Sequence, residues 1–214
     1  MTIKERYKHV LDYFRENMKL AETELDYKTD FQLLIAVILS AQCTDKRVNL
    51  LTPALFLDYP DAQTMSHASQ EVIYEYIKSC SYPNNKAKHI SQTAKILTEK
   101  YNGKIPEDVD ELQKLPGVGR KTAHVIASVL FRQAKMPVDT HVFRVSARIG
   151  LTNNAKTVLQ AEKQLVKHIP KKDIPDAHHW LILHGRYVCT ARSPKCASCG
   201  ISAYCKFYQQ TDKS

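Results

Sequence analysis

The 214-residue chain lacks any apolar run of about 18 residues, the length that a helix needs to cross a membrane. We therefore expect neither a membrane-spanning segment nor a membrane partner. The opening residues, MTIKERYKHV, also lack the apolar core of a secretory signal peptide. We expect a cytoplasmic protein of bacterial type, and disulfide bonds are not expected among its six cysteines.

Strict alternation of apolar and polar residues is rare in this chain, so we predict an all-α fold with few or no strands. The segment 31–39 (FQLLIAVIL) is almost continuously apolar, which predicts a helix buried on all sides. No repeat, low-complexity tract or flexible linker interrupts the sequence. Helices are predicted at 3–19, 30–40, 46–56, 69–78, 85–101, 109–115, 140–149, 157–168 and 176–187, with one more directly after residues 115–119.

Basic residues outnumber acidic ones by 31 to 22, and the resulting net charge of +9 favours a polyanionic partner. The C-terminal segment 184–214 is more strongly basic than the rest. Its charged residues are Arg186, Arg192, Lys195, Lys206 and Lys213 against Asp212. A basic tail is usually solvated surface, but this one also carries four of the six cysteines.

Those four cysteines have the spacing C-x6-C-x2-C-x5-C and comprise Cys189, Cys196, Cys199 and Cys205. Thiols this closely spaced in a chain without disulfides predict a metal centre. Zinc ribbons usually carry two C-x2-C pairs, and this segment has one, so the spacing favours a [4Fe-4S] cluster and leaves zinc as the alternative.

Two cations, Arg192 and Lys195, lie in the loop between the first two cysteines of this quartet. We interpret the centre as a structural one that shapes a basic loop for a phosphate strand. The remaining cysteines, Cys43 and Cys80, are far from the quartet in sequence, and we predict ordinary buried thiols.

Residues 115–119 (LPGVG) predict a tight turn between two helices. Pro116 cannot continue a helix, and Gly117 and Gly119 permit backbone conformations that other residues avoid. Backbone amides at the start of the second helix have no intrahelical partner, and they lie at the positive end of the helix dipole. The turn therefore predicts a phosphate site, with a plain helix–helix connection as the alternative.

Lys121 falls in the first turn of that second helix, next to Arg120. The helix dipole and the neighbouring cation both favour the uncharged amine, which is the nucleophilic form. Asp139 precedes the helix predicted at 140–149, so it is a candidate N-cap and also a candidate base. Alternatively, Lys121 is an ordinary solvated lysine and Asp139 only a cap.

The segments LPGVGRKTA and VDTHVFRV resemble the helix-hairpin-helix DNA glycosylases, and specifically the endonuclease III family. The resemblance extends in order over residues 18–206. It includes LSAQCTD at 39–45, NNKAKHI at 84–90, HHWLILHGRYVC at 178–189 and the cysteine quartet.

This resemblance implies a bifunctional DNA glycosylase and abasic-site lyase of base excision repair. The lysine at position 121 attacks the sugar and the aspartate at position 139 assists. Such an enzyme removes oxidised pyrimidines from duplex DNA and cleaves 3′ to the abasic site by β-elimination through a Schiff base. The resemblance also implies a [4Fe-4S] cluster on the quartet, damaged double-stranded DNA as the partner, and a monomer acting on the chromosome.

The same resemblance implies two helical lobes with a DNA-binding cleft between them. We expect a six-helix lobe at 21–132, which contains the hairpin. The second lobe is expected to join residues 1–20 to 133–214 and to hold the cluster. In this arrangement, Lys121 and Asp139 would face each other across the cleft.

The resemblance further identifies candidate DNA contacts. Gln42 matches the family residue that enters the duplex, although taken alone it is an ordinary polar loop residue. We call the two loops that are expected to enter the duplex wedge loops; the first carries Gln42 and the second (SYPNN, 81–85) carries Tyr82. Tyr82 lies near where the family commonly has leucine, and its ring could still stack in the gap that the extruded base leaves. His124 replaces a frequent asparagine, and we place it near the groove or on the surface. The predicted DNA-binding residues are Gln42, Tyr82, Gly117, Val118, Gly119, Arg120, His141, Arg192 and Lys195.

Two other functions remain possible on the residues. A monofunctional adenine glycosylase would share this fold, but that branch usually lacks a lysine at the position of Lys121. A non-enzymatic DNA-binding module with a structural metal would need neither Lys121 nor Asp139.

Overall fold

A computed structural model describes residues 1–19 and 21–211. The described residues form helices without strands, which confirms the all-α prediction. None of these helices combines the length and the apolar character needed to cross a membrane. Leu20, at a predicted lobe boundary, and the charged residues Asp212 and Lys213 with the final Ser214 lie outside the described residues.

The helices, in chain order, are α1 (Ile3–Asn17), α2 (Asp30–Ser40), α3 (Asp45–Asp58), α4 (Ala62–Ser66), α5 (Gln70–Ile77), α6 (Pro83–Tyr101), α7 (Val109–Gln113), α8 (Arg120–Phe131), α9 (Thr140–Ile149), α10 (Val158–His168), α11 (Ile174–Tyr187) and α12 (Lys206–Thr211). Short 3-10 helices occupy Lys171–Asp173, Cys196–Ser198 and Ser202–Tyr204. The chain forms two compact units. The central unit is Glu24–Phe131, and the terminal unit joins Met1–Thr23 to Arg132–Ser214.

Helix α2 forms the centre of the central unit's core. Every residue of the segment 31–39 is buried, which confirms the prediction of a helix enclosed on all sides. The helix begins after Thr29, whose hydroxyl accepts a hydrogen bond from the Gln32 amide at 3.2 Å. It packs against α3, α6 and α8, so the hairpin helix α8 is supported directly by this core.

The terminal unit has its own core, built from α1, α9, α10 and α11. Tyr7 and Trp180 each donate a hydrogen bond to a backbone carbonyl, at Leu151 (2.8 Å) and Met18 (3.0 Å) respectively. Helices α9 and α11 approach closely because position 185 is glycine. A Cβ there would lie 2.9 Å from a methyl carbon of Val145. The core therefore fixes α9, the helix that follows Asp139.

The sequence-based prediction missed α4, α12 and the 3-10 helices. These segments of three to six residues contain too few positions to display a helical period, so no apolar face could be recognised in them. Helix α7 is equally short but was predicted because the turn at 115–119 follows it. Capping nevertheless explains α4. The Asp61 carboxylate accepts from the Thr64 amide at 2.8 Å, and the Thr64 hydroxyl accepts in return from the Asp61 amide at 3.4 Å.

Candidate functional site

The predicted turn between α7 and α8 is present at residues 114–119. Gly117 adopts φ +79°, and a Cβ at this position would lie only 3.1 Å from the His89 Cβ. The Pro116 carbonyl accepts a hydrogen bond from the Thr93 hydroxyl at 2.9 Å, which ties the turn to α6. Gly117 is therefore required by the backbone conformation and by the packing against α6.

Gly119 differs from Gly117, because its φ is not positive and a Cβ there would have no atom within 4 Å. Nothing within the central unit prevents another molecule from approaching the backbone at this position. The Val118 side chain is buried, and its amide donates to the Leu115 carbonyl at 3.0 Å. The Val118 amide is therefore already used within the hairpin, and we expect other amides of the hairpin to bind a phosphate.

Lys121 lies in the first turn of α8 and is exposed, as is its neighbour Arg120. The buried positions of this helix include Ala123, Ile126 and Ala127, and they anchor it in the core of the central unit. The core thus holds the helix, while the Lys121 amine remains accessible to a reactant.

Asp139 caps helix α9, as its position in the sequence predicted. Its Oδ1 accepts a hydrogen bond from the Val142 amide at 2.7 Å. The preceding residues 136–138 are buried, and Asp139 itself is half-buried. The cap uses one of the two carboxylate oxygens, so capping does not prevent this side chain from taking a proton.

Gln42 and Tyr82 lie on two exposed loops of the central unit. Both residues adopt the left-handed conformation, with φ 54° in each case. That conformation is uncommon for residues other than glycine and costs about 1–2 kcal/mol. The Ser81 hydroxyl donates to the Gln42 carbonyl at 2.5 Å, so the structure brings together two predicted wedge loops that are 39 residues apart in sequence.

The four cysteines of the quartet are free thiols that line one cavity of the terminal unit. Burial raises the pKa of the Cys199 and Cys205 thiols, and the charges of the neighbouring cysteines raise it further. No group of three or more His, Cys, Asp or Glu side chains within the described residues is placed to hold a single metal ion. Four thiols that line one cavity are a donor set that fits a [4Fe-4S] cluster, which four cysteine thiolates hold.

Two arginines of α9 bind the loop that carries the first cysteine. The Arg148 guanidinium donates to the carbonyls of Thr190 (2.7 Å) and Ala191 (2.8 Å) and lies 3.7 Å from the Cys189 Sγ. Arg144 donates to the Cys189 carbonyl at 3.2 Å and to the Gly185 carbonyl, in α11, at 2.9 Å. Sequence reasoning missed both arginines, because only their i, i+4 spacing on one helix could have indicated a shared surface.

The predicted basic residues of this loop, Arg192 and Lys195, are exposed. The loop is closed by a hydrogen bond from the Lys195 amide to the Val188 carbonyl at 2.9 Å. His141, also predicted to bind DNA, is half-buried, and its Nδ1 lies 3.3 Å from the Arg144 guanidinium. Arg192 and Lys195 therefore remain available for a strand of phosphates, whereas His141 is engaged with Arg144.

His124 is 4% exposed, so its placement on the surface was wrong. Its position in α8 directs the ring into the protein because that face of the helix packs on the core. His184 is also buried and packs against Phe14. Burial lowers the pKa of His184 and of His179 to about 4, so both rings are neutral at pH 7.

Two family models match this chain. Residues 35–171 match the HhH-GPD superfamily of base excision DNA repair proteins. Residues 189–205, which span the quartet, match the iron-sulfur binding domain of endonuclease III. The fold and the hairpin thus define a base excision DNA repair protein with a metal-cluster module.

The sequence relatives and solved structures narrow this class. The chain is 48% identical to endonuclease III of Rickettsia felis, with 93% of each chain covered, and 45% identical to that of Escherichia coli, with 95% of this chain and 96% of the relative covered. It matches an endonuclease III trapped covalently on DNA with a TM-score of 0.90 at 42% identity, covering 99% and 100% of the two chains. A thermostable thymine-DNA glycosylase at 21% identity, with a TM-score of 0.83 and coverage of 96% and 98%, shares the fold.

The chain belongs to the endonuclease III family. It is accordingly a bifunctional DNA glycosylase and abasic-site lyase of base excision repair, and it carries a [4Fe-4S] cluster. The family assignment resolves the choice between zinc and iron–sulfur in favour of the cluster. The thiols of Cys189, Cys196, Cys199 and Cys205 would hold it.

We predict that the two hairpin glycines behave differently when each is replaced by alanine. Gly117→Ala should lower the free energy of unfolding by at least about 1–2 kcal/mol, because it forces alanine into a left-handed conformation. Gly119→Ala should unfold like the unaltered protein but bind duplex DNA more weakly, since the added methyl group lies where a phosphate would approach. Thermal unfolding and fluorescence anisotropy at fixed salt measure the two effects. Unchanged affinity in Gly119→Ala would show that DNA does not contact this backbone.

We predict that anaerobically purified protein is yellow-brown and contains about four irons per chain. Cys199→Ser should lose the iron and destabilise the terminal unit, because a metal site that is absent from the unfolded chain couples binding to folding. Cys43→Ser is the control, since Cys43 lies in the central unit and should leave the iron content unchanged. Colourless protein with one zinc ion per chain would contradict this assignment.

Proposed function

We propose that this endonuclease III family member removes oxidised pyrimidines from duplex DNA in a bacterial-type cytosol, with Lys121 as nucleophile and Asp139 as its proton acceptor. The observation that carries the proposal is the exposed Lys121 amine at the start of α8, directly after a glycine hairpin with an open backbone at Gly119. The covalent complex trapped with a related endonuclease III supports a mechanism with an enzyme–DNA bond.

Binding comes first in the proposed mechanism. Hairpin amides around Gly117 and Gly119 contact a phosphate of the damaged strand, and the positive end of the α8 dipole favours that anion. Arg192 and Lys195 contact a second stretch of phosphates. The target nucleotide then leaves the base stack, and the side chains of Gln42 and Tyr82 enter the duplex to fill the space. Cys189, Cys196, Cys199 and Cys205 would hold the cluster, which would give structural support to the 189–205 segment that carries these two cations.

Chemistry then takes place at the sugar. The Lys121 amine attacks C1′, the bond from C1′ to the base breaks, and Asp139 accepts a proton from the attacking nitrogen. The carboxylate also offsets the positive charge that develops on the sugar. The nitrogen lone pair then opens the sugar ring by breaking the C1′–O4′ bond, Asp139 returns its proton to O4′, and an imine joins Lys121 to C1′. Loss of a proton from C2′ then expels the 3′ phosphate by β-elimination, which cleaves the strand.

The two alternative functions fit these residues less well. A monofunctional adenine glycosylase activates water and needs no amine at position 121, yet this chain places an accessible lysine there. A DNA-binding module without activity would leave Lys121 and Asp139 without a chemical task. Strand cleavage in the presence of a chelator would exclude that module.

We predict that borohydride traps a covalent complex between the protein and a duplex that contains an oxidised pyrimidine. Lys121→Gln should fold and bind this duplex but give no complex, because only reduction of an imine with an enzyme amine leaves a stable bond between protein and DNA. Asp139→Asn should fold, since asparagine caps helices about as well as aspartate. Its base release should fall by roughly two or more orders of magnitude, because an amide cannot accept the proton or offset the charge.

Single-turnover base release and denaturing gels of the trapped product measure these effects. Thermal unfolding of each variant confirms that the fold is intact. Near-full activity in Asp139→Asn would reduce Asp139 to a helix cap. A trapped complex with Lys121→Gln would place the nucleophile elsewhere and refute the central assignment.

We predict that binding to undamaged duplex weakens steeply with salt, because phosphate contacts release counterions. Arg192→Ala and Lys195→Ala should each lower the slope of log K against log salt by roughly one unit. Lys163→Ala is a matched control, since Lys163 is exposed on α10 in the same unit but outside the loop. Equal slopes in all three variants would return Arg192 and Lys195 to ordinary solvated surface.

A further inference from the structure

Lys86 is a buried lysine that the mechanism above does not use. It lies in the first turn of α6, and only 5% of its surface is exposed. Its ammonium nitrogen lies 2.8 Å from the Leu39 carbonyl oxygen and 2.7 Å from that of Ala41. It also lies 3.2 Å from the Cys80 Sγ and 3.5 Å from the Ser81 Oγ.

These contacts explain how a lysine is accommodated inside the protein. A buried cation is costly unless it is well hydrogen-bonded, and two backbone carbonyls provide strong acceptors here. Leu39 and Ala41 belong to the C-terminal end of α2, where the helix dipole is negative and favours a cation. Lys86 therefore binds the carbonyls at the end of the most deeply buried helix of the central unit.

The partners of Lys86 also lie on both loops that are proposed to enter the duplex. Ala41 directly precedes Gln42, and Cys80 and Ser81 precede Tyr82. A second link joins the same loops, because the Ser81 hydroxyl donates to the Gln42 carbonyl. The Lys86 side chain thus bonds to the residues that directly precede Gln42 and Tyr82. Both of these residues are exposed and adopt the left-handed backbone conformation.

We propose that Lys86 is a positioning residue for nucleotide extrusion, because it holds the Gln42 and Tyr82 loops in the geometry that enters DNA. The inference rests on the proposed function, in which these two residues fill the space left by the extruded nucleotide. Extrusion costs a few kcal/mol of unstacking and unpairing. When a loop is already ordered, no part of the DNA-binding free energy is lost in ordering it. More of that free energy is then available to offset the cost of extrusion.

This role predicts a selective effect. A variant without the ammonium should process poorly any substrate whose damaged nucleotide must be extruded from a duplex. It should process normally a single-stranded abasic site, which reaches Lys121 without extrusion. A residue that only stabilises the fold would affect both substrates equally.

The experiment compares Lys86→Met with the unaltered holoenzyme on two substrates. The first is a duplex with a paired oxidised pyrimidine, and the second is a single-stranded oligonucleotide with one abasic site. The single-turnover rate on the duplex should fall by roughly tenfold or more, since two hydrogen bonds of a charged group are lost. The cleavage rate of the single strand should change by less than about twofold.

Ser91→Ala is the matched control. Ser91 lies on the same helix, is also buried, and donates to the Ala68 carbonyl at 3.2 Å, away from both loops. Loss of the Ser91 hydroxyl should change neither the rate on the duplex nor the rate on the single strand. If Lys86→Met does not fold, Ser81→Ala decides the question instead, because it removes the hydroxyl that links the loops from a half-buried side chain. It should show the same selectivity with a smaller loss.

Equal losses on both substrates, or no loss on either, would overturn the inference. Gln42→Ala and Tyr82→Ala separate its failure from failure of the proposed function. If these variants lose duplex activity selectively but Lys86→Met does not, only the positioning role is refuted. If neither wedge variant is selective, the proposed entry of both residues into DNA is wrong, and the role of Lys86 is refuted with it.

Discussion

Burial of residues 31–39 of α2 is the constraint on which the central unit depends. The buried Leu39 carbonyl near the end of this helix needs a partner within the protein, because an unpaired buried carbonyl is costly. Thr29 caps its start, and the Lys86 ammonium binds carbonyls at its end. The same ammonium also contacts Cys80 and Ser81, which directly precede Tyr82. The side chain that hydrogen-bonds the end of α2 therefore also holds the exposed loop that carries Tyr82. Lys86 therefore connects the core of the central unit to the loops that are proposed to contact DNA.

In the terminal unit, the cysteine-rich segment is held by hydrogen bonds from a neighbouring helix. Its last cysteine-rich segment contains only short 3-10 turns and one short helix, which cannot bury a large apolar face. Arg144 and Arg148 bind backbone carbonyls of that segment from α9, the helix that Asp139 caps. The unfolded chain has no preformed site for the cluster, so cluster binding and folding of this segment are coupled. The element that presents Asp139 is thus also the support of the cluster loop.

Features encoded by neighbouring residues were predictable from the sequence. The continuous apolar run at 31–39 indicated a buried helix, and its burial is complete. Asp139 before a helical pattern indicated an N-cap, and its carboxylate accepts the Val142 amide. The glycines at 117 and 119 indicated a turn, and the cysteine spacing indicated a metal centre, which the family match assigns to iron–sulfur. For the helix, the cap and the turn the deciding interactions span only a few residues, so local sequence was sufficient. The cysteine spacing indicated a metal centre but left the choice between zinc and iron–sulfur to the family match.

The sequence by itself thus determined the all-α class, the long helices, the hairpin, the cap and the cysteine quartet, because periodicity and turn chemistry are local. Tertiary structure alone decided that His124 is buried, that Arg148 binds the cluster loop, and that Lys86 links two loops. It also decided that Gly117 is required by packing against His89 while Gly119 faces open space. These outcomes depend on contacts between residues far apart in the chain, and no local pattern records which distant group a side chain will meet.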